Sequence, residues 1–183
     1  DPQWLAARAR FLARAYGVHV GRDAQAIMAD LHRAEDGLND AAASCGRVVL
    51  WFEHDSYDQL ILARCLARFA DGAPRRLELI SVDRFPGTAR FIGIGQLPPE
   101  ALRLLWESRE PVSRQQLQAG RAAWDALRQP DPKALAACAA STASPHLARA
   151  VRRHCQELPS LRDVLGLTER LIQAKPLMVD FDE

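Results

Sequence analysis

The chain has 183 residues, 48% of them hydrophobic, with 24 Lys and Arg set against 23 Asp and Glu. That size and apolar content can bury a core without a metal or a disulfide framework, and a formal charge of +1 makes no global electrostatic case for nucleic acid or an anionic membrane. No long apolar span and no secretion signal occur, so a cytoplasmic protein with no membrane partner is expected.

Trp4, Leu5, Arg8, Phe11, Leu12 and Tyr16 fit a first amphipathic helix, with Gly17 as its stop. Asp23 is placed to cap a second helix carrying Ile27, Met28 and Leu31, and the stretch Asp36-Gly37-Leu38-Asn39-Asp40 loosens that pattern. The chain opens at Asp1-Pro2 without Met, which points to an upstream portion and to a strand that it would supply. Arg47–Phe52 reads as a strand, and its lack of polar alternation favours burial on both faces.

A third helix starts near Ser56 or Tyr57, directs Leu62, Leu66 and Phe69 to one side, and ends at Asp71-Gly72. Arg76–Asp83 is a second strand, so the strand, helix, strand order favours a parallel pair. Phe91–Gln96 is either a short third strand or a loop bent by Gly93 and Gly95.

Beyond Pro98-Pro99 the pattern is helical. Leu102, Leu105 and Trp106 mark one helix; Ser113-x-x-Gln116 is a capping box for the next, on which Leu117, Gly120, Trp124 and Leu127 form a packing stripe. Asp131-Pro132 and Ser144-Pro145 each set a cap residue before a first-turn proline, and Leu147, Val151, Cys155 and Leu158 repeat at core-facing intervals. Gly166 precedes a last helix near Glu169–Ala174. The fold class is therefore α/β: a small, partly parallel sheet with flanking helices over residues 1–97, followed by a helical region over 98–183 packed on it. Cys45, Cys65, Cys138 and Cys155 are too scattered for a close metal-ligand pair and read as reduced thiols.

Chemistry is expected where the first strand ends, because the apolar run breaks into Glu53-His54-Asp55-Ser56-Tyr57-Asp58-Gln59 at what would be the carboxyl edge of the sheet. Glu53, His54 and Asp55 are the catalytic candidates: an imidazole beside carboxylates can exchange a proton near neutral pH. Two of the carboxylates could instead share a divalent metal ion, with His54 or Gln59 completing the shell. Tyr57, Asp58 and Gln59, with Asp83 and Arg84 from the end of the second strand, are the substrate-binding candidates, Arg84 by a two-pronged contact to phosphate or carboxylate. Each has a structural alternative: Asp55 or Ser56 as a helix cap, Arg84 in a salt bridge to Asp83, the glycines in close backbone packing. His19, His32, His146 and His154 lack a comparable polar setting and read as structural or surface residues.

The segments Val49-Leu50-Trp51-Phe52-Glu53-His54-Asp55-x-Tyr57-Asp58-Gln59-Leu60, Phe85-Pro86-Gly87, Phe91-x-Gly93-x-Gly95-x-Leu97, Trp124-x-Ala126 and Glu157-Leu158-Pro159-Ser160 together resemble the bacterial family called domain of unknown function 1835, in order across about two-thirds of the chain. The resemblance implies a further N-terminal strand bearing an Asn-Gly-Asp-like polar turn, and it supports the domain reading without implying a reaction. Leu165–Ile172 is similar to the start of a helix-turn-helix segment, with Thr168 as cap and Arg170 facing phosphate, but the chain then reaches Pro176 and an acidic tail, Asp180–Glu183. The leading expectation is a hydrolase or transferase acting on a small polar or phosphorylated substrate. The alternative is a regulatory module that binds protein or, less favoured, nucleic acid.

Overall fold

The computed structural model describes residues 2–174; the acidic tail expected at 180–183 lies outside them. The chain divides into two compact units, one formed by 1–48 with 72–76, the other by 49–71 with 77–183.

The first unit is built on two helices, α1 (Pro2–Val20) and α2 (Ala24–Ser44), which pack on each other. Gly17 does not stop α1. It is buried, and a Cβ there would lie 2.6 Å from the carbonyl oxygen of Arg22, so glycine serves a close approach. The stop is Gly21, whose φ of 62° reverses the chain before Asp23 caps α2 by accepting the Ala26 N–H at 2.8 Å. α2 also runs unbroken through Asp36–Asp40, because Leu31, Glu35 and Leu38 keep a helical seam across the polar stretch and one glycine costs a helix only about 1 kcal/mol.

In the second unit, β1 (Arg47–Glu53, entering from the first) lies parallel to β2 (Arg76–Val82), and β3 (Glu110–Pro111) pairs antiparallel with β2, giving the order β1-β2-β3. The expected α/β class, with a partly parallel sheet and a helical C-terminal region, is what the chain adopts. Only Leu50 of β1 is fully buried, rather than both faces, because β1 is an edge strand of the sheet among the described residues. The 91–96 segment is a loop closed by a 3-10 turn, Ile94–Gln96, and the third strand is the two residues of β3. Pro111 offers no N–H, so Val112 resumes the ladder by donating to Leu77 at 2.9 Å.

The remaining helices are α3 (Ser56–Ala70), α4 (Pro99–Trp106), α5 (Arg114–Leu127), α6 (Lys133–Ser141), α7 (Pro145–Cys155) and α8 (Leu167–Ala174). α3 packs against both α5 and α7. Small residues set that spacing: Ala63, Ala123, Ala126 and Ala139 share a core with Leu135, Leu147 and the wholly buried Val151. Gly120 carries the closest approach, since a Cβ there would lie 2.4 Å from the Cβ of Leu66. The capping box of α5 is complete, Ser113 accepting from the Gln116 N–H at 3.1 Å while the Gln116 side chain accepts from the Ser113 N–H at 2.8 Å. α7 begins as expected at Ser144-Pro145, whereas α6 starts one residue late, with Pro132 itself at the cap position.

Candidate functional site

The β1–α3 turn brings the acidic candidates together and also gives each of them a backbone partner. The N–H groups of Tyr57 and Asp58 both donate to Asp55 Oδ1, at 2.7 and 2.9 Å, so Asp55 is the cap of α3. Asp58 Oδ2 in turn accepts the Glu53 N–H at 2.8 Å, and the side-chain amide of Gln59 donates to the Glu53 carbonyl at 2.6 Å. Glu53 reaches across to the 91–96 loop, where its Oε1 accepts the Ile94 N–H at 2.6 Å and its carboxylate lies over Gly93, so that a Cβ there would have to displace the carboxylate. One oxygen from each of Glu53, Asp55 and Asp58 falls within 4.8 Å of the others, a spacing compatible with a divalent ion. Helix capping and loop anchoring already account for that convergence.

The turn's other members point elsewhere. Tyr57 is 72% exposed. Arg84 is spent on Asp83, with contacts of 3.1 and 3.3 Å, and this pairing holds the Asp83 carboxyl below the usual carboxylate range. His54 Nδ1 lies 3.4 Å from the Val82 carbonyl at the end of β2, a contact that favours the Nδ1–H tautomer and leaves Nε2 as an acceptor. The ring of His54 stands 6.3 Å from those of both Phe91 and His146.

His146 leads to a cavity of about 480 Å³. Leu62, Leu66, Leu79 and Leu147 provide apolar lining, while Gln59, Ser81, Gln116, Ser144 and His146 provide polar groups. Of the eight residues singled out from the sequence, Gln59 alone reaches this lining, and it is 2% exposed. The first turns of α5 and α7 also meet here, and helix starts carry N–H groups without intrahelical acceptors together with the positive end of the helix dipole. Burial pushes the His146 pKa down and Arg149 adds to that, while the Arg149 guanidinium donates to Nδ1 at 2.5 Å and leaves the proton on Nε2.

Sequence reasoning passed over His146 and Ser81, because neither has polar neighbours along the chain. Gln116 was legible only as half of a capping box. The available signal was the placement of His146 in the first turn of a helix with a recognisable start.

Toward the C-terminus, Thr168 lies inside the first turn of α8 rather than capping it; its hydroxyl donates to Glu157 at 2.7 Å and accepts from Arg153 at 2.8 Å. Arg170, the residue expected to face phosphate, is directed to the Leu165 carbonyl at 2.7 Å and to Asp163 at 3.4 Å, so it has internal partners. No helix among the described residues is long and apolar enough to cross a membrane. No protein family, no curated protein and no solved structure matches the chain.

Proposed function

We propose that the protein binds a small polar or phosphorylated molecule in the cavity between β2, α3, α5 and α7 and acts on it as a hydrolase or transferase. The observation that carries this reading is the meeting of two helix starts, the His146 imidazole and the Ser81 hydroxyl around a leucine-lined space of about 480 Å³. That volume falls in the range of small-molecule sites. Helix N-termini and an imidazole N–H favour an anionic group at the polar end, and the leucines favour an apolar remainder. His54, outside the cavity lining with its ring 6.3 Å from that of His146, is the general base of this reading, reaching the bound molecule through one bridging water. The acidic turn then serves to hold His54 and the 91–96 loop in place.

The test is a thermal-shift and NMR screen with inorganic phosphate, nucleoside monophosphates and sugar phosphates. Ala119→Phe, which projects a ring into the cavity from α5, is expected to abolish any shift seen with the parent chain. His54→Ala is expected to keep binding and lose turnover. An Ala119→Phe variant that binds as well as the parent would remove the cavity from consideration, and a parent that responds to none of these probes would remove the substrate class.

A further inference from the structure

We propose that Gln59 is the specificity-determining residue of the cavity, and that the molecule bound there is a hydroxylated organic phosphate, one of whose hydroxyls donates to the Gln59 side-chain oxygen. The proposal rests on the cavity reading given above and adds the chemistry of the substrate's other end.

Gln59, Leu62, Ala63 and Leu66 follow one another at helical spacing on α3, and all four line the cavity. Gln59 is thus a polar group set into an apolar wall, and it is 2% exposed. A buried amide needs partners for both its donor and its acceptor. The Gln59 Nε2 donates to the Glu53 carbonyl at 2.6 Å, and because that partner can only accept, the orientation of the amide is fixed. Oε1 is the atom left over. No donor among the described residues meets it. It is not sealed in protein either: it touches open space, and the open space that Gln59 lines is the cavity.

The rest of the lining asks for the opposite partner. Gln116 has its Oε1 taken by the Ser113 N–H at 2.8 Å, which leaves its Nε2 hydrogens to offer, and His146 offers Nε2–H. Together with the helix starts, these donors suit an anion. An anion set against Gln59 Oε1 would meet a lone pair instead, so the two ends of the bound molecule must differ. Solvent in such a space hydrogen-bonds to a free carbonyl oxygen, and a ligand that displaces it without supplying a donor leaves a buried acceptor unmet. A hydroxyl supplies that donor. An ammonium suits the position less, since beside Leu62 and Leu66 it exchanges a full hydration shell for one neutral acceptor. A site built to hydrogen-bond a hydroxyl rejects the analogue that lacks it far more strongly than an apolar pocket senses one methylene.

The experiment uses two matched pairs of probes, glucose 6-phosphate with cyclohexylmethyl phosphate and glycerol 3-phosphate with propyl phosphate, titrated calorimetrically into the full chain and into Gln59→Met. In at least one pair the parent is expected to bind the hydroxylated member at least about tenfold more tightly. Gln59→Met is expected to lose that preference while keeping its affinity for the bare alkyl phosphate. In the parent, the NMR signal of the Gln59 side-chain carbonyl carbon is expected to move with the hydroxylated probe and stay in place with its partner, a readout independent of how well the variant folds. Equal binding within both pairs overturns the proposal and leaves the cavity reading standing, as does a preference that survives Gln59→Met or a Gln59 signal indifferent to the bound sugar or glycerol phosphate. A parent that binds none of the four removes the substrate class proposed above, and this proposal with it.

Discussion

Glu53 Oε1 and the Ile94 N–H, 41 positions apart in the chain, meet at 2.6 Å and fasten the 91–96 loop to the end of β1. Replacing Glu53 with Ala leaves that part-buried N–H without its acceptor, a loss of about 1–3 kcal/mol. Amide exchange at Ile94 is expected to accelerate in Glu53→Ala well beyond the change in global stability. Glu53→Gln, which keeps an oxygen at the site, is expected to restore part of the protection. Equal protection of Ile94 in all three proteins would show that the carboxylate does not anchor the loop.

Asp55 satisfies two of the free N–H groups at the start of α3. Asp55→Ala is expected to lower unfolding stability by about 1 kcal/mol, and Asp55→Ser by less, because serine also caps. Urea titrations of the three proteins measure the order.

Gly120 lies where α5 approaches α3 most closely. On an open helix face, alanine in place of glycine stabilises by about 1 kcal/mol. Here the added methyl meets Leu66 at 2.4 Å, so overpacking of about 1–3 kcal/mol is expected to reverse the sign. A Gly120→Ala protein that melts above the parent would contradict this packing.

Arg121 hydrogen-bonds to the Asp71 carboxylate at 2.5 Å and also donates to the Ala67 carbonyl, and the first of these contacts lowers the Asp71 pKa. A carboxylate depressed in the folded state contributes stability above its unfolded pKa and loses that contribution as pH falls through the folded value. The stability difference between parent and Arg121→Gln is therefore expected to be constant near neutrality and to narrow below about pH 4, the unfolded range of Asp. Asp71 is exposed and Arg121 only half-buried, so added salt is expected to narrow it as well.

The thiols are expected to separate by alkylation rate. Cys45 is exposed, whereas burial raises the pKa of Cys138 and closes it from solvent. Mass spectrometry after brief iodoacetamide treatment at neutral pH is expected to find Cys45 modified first and Cys138 last.

Features encoded within a few residues were the most legible in the sequence. The Asp23 cap, the Ser113 box and the Ser144-Pro145 start all follow from local chemistry, and all are present. Legibility failed where distant packing decides. β3 is two residues long and has no alternation to read, and the Asp36–Asp40 stretch stays helical because its seam partners are spaced correctly on either side. Glu53, Asp55 and Asp58 were conspicuous as chemistry, yet a sequence does not distinguish a carboxylate that reacts from one that satisfies backbone donors. His146 was overlooked for the converse reason, since its surroundings come from β2, α3 and α5.

The brevity of β3 also bears on behaviour at high concentration. A long, flat strand at the margin of a sheet is a template on which other chains can stack, and fibrils begin from such margins. Here that margin consists of a glutamate and a proline, one charged and the other without a hydrogen to donate. The protein thereby blunts growth into aggregates from this side of its sheet.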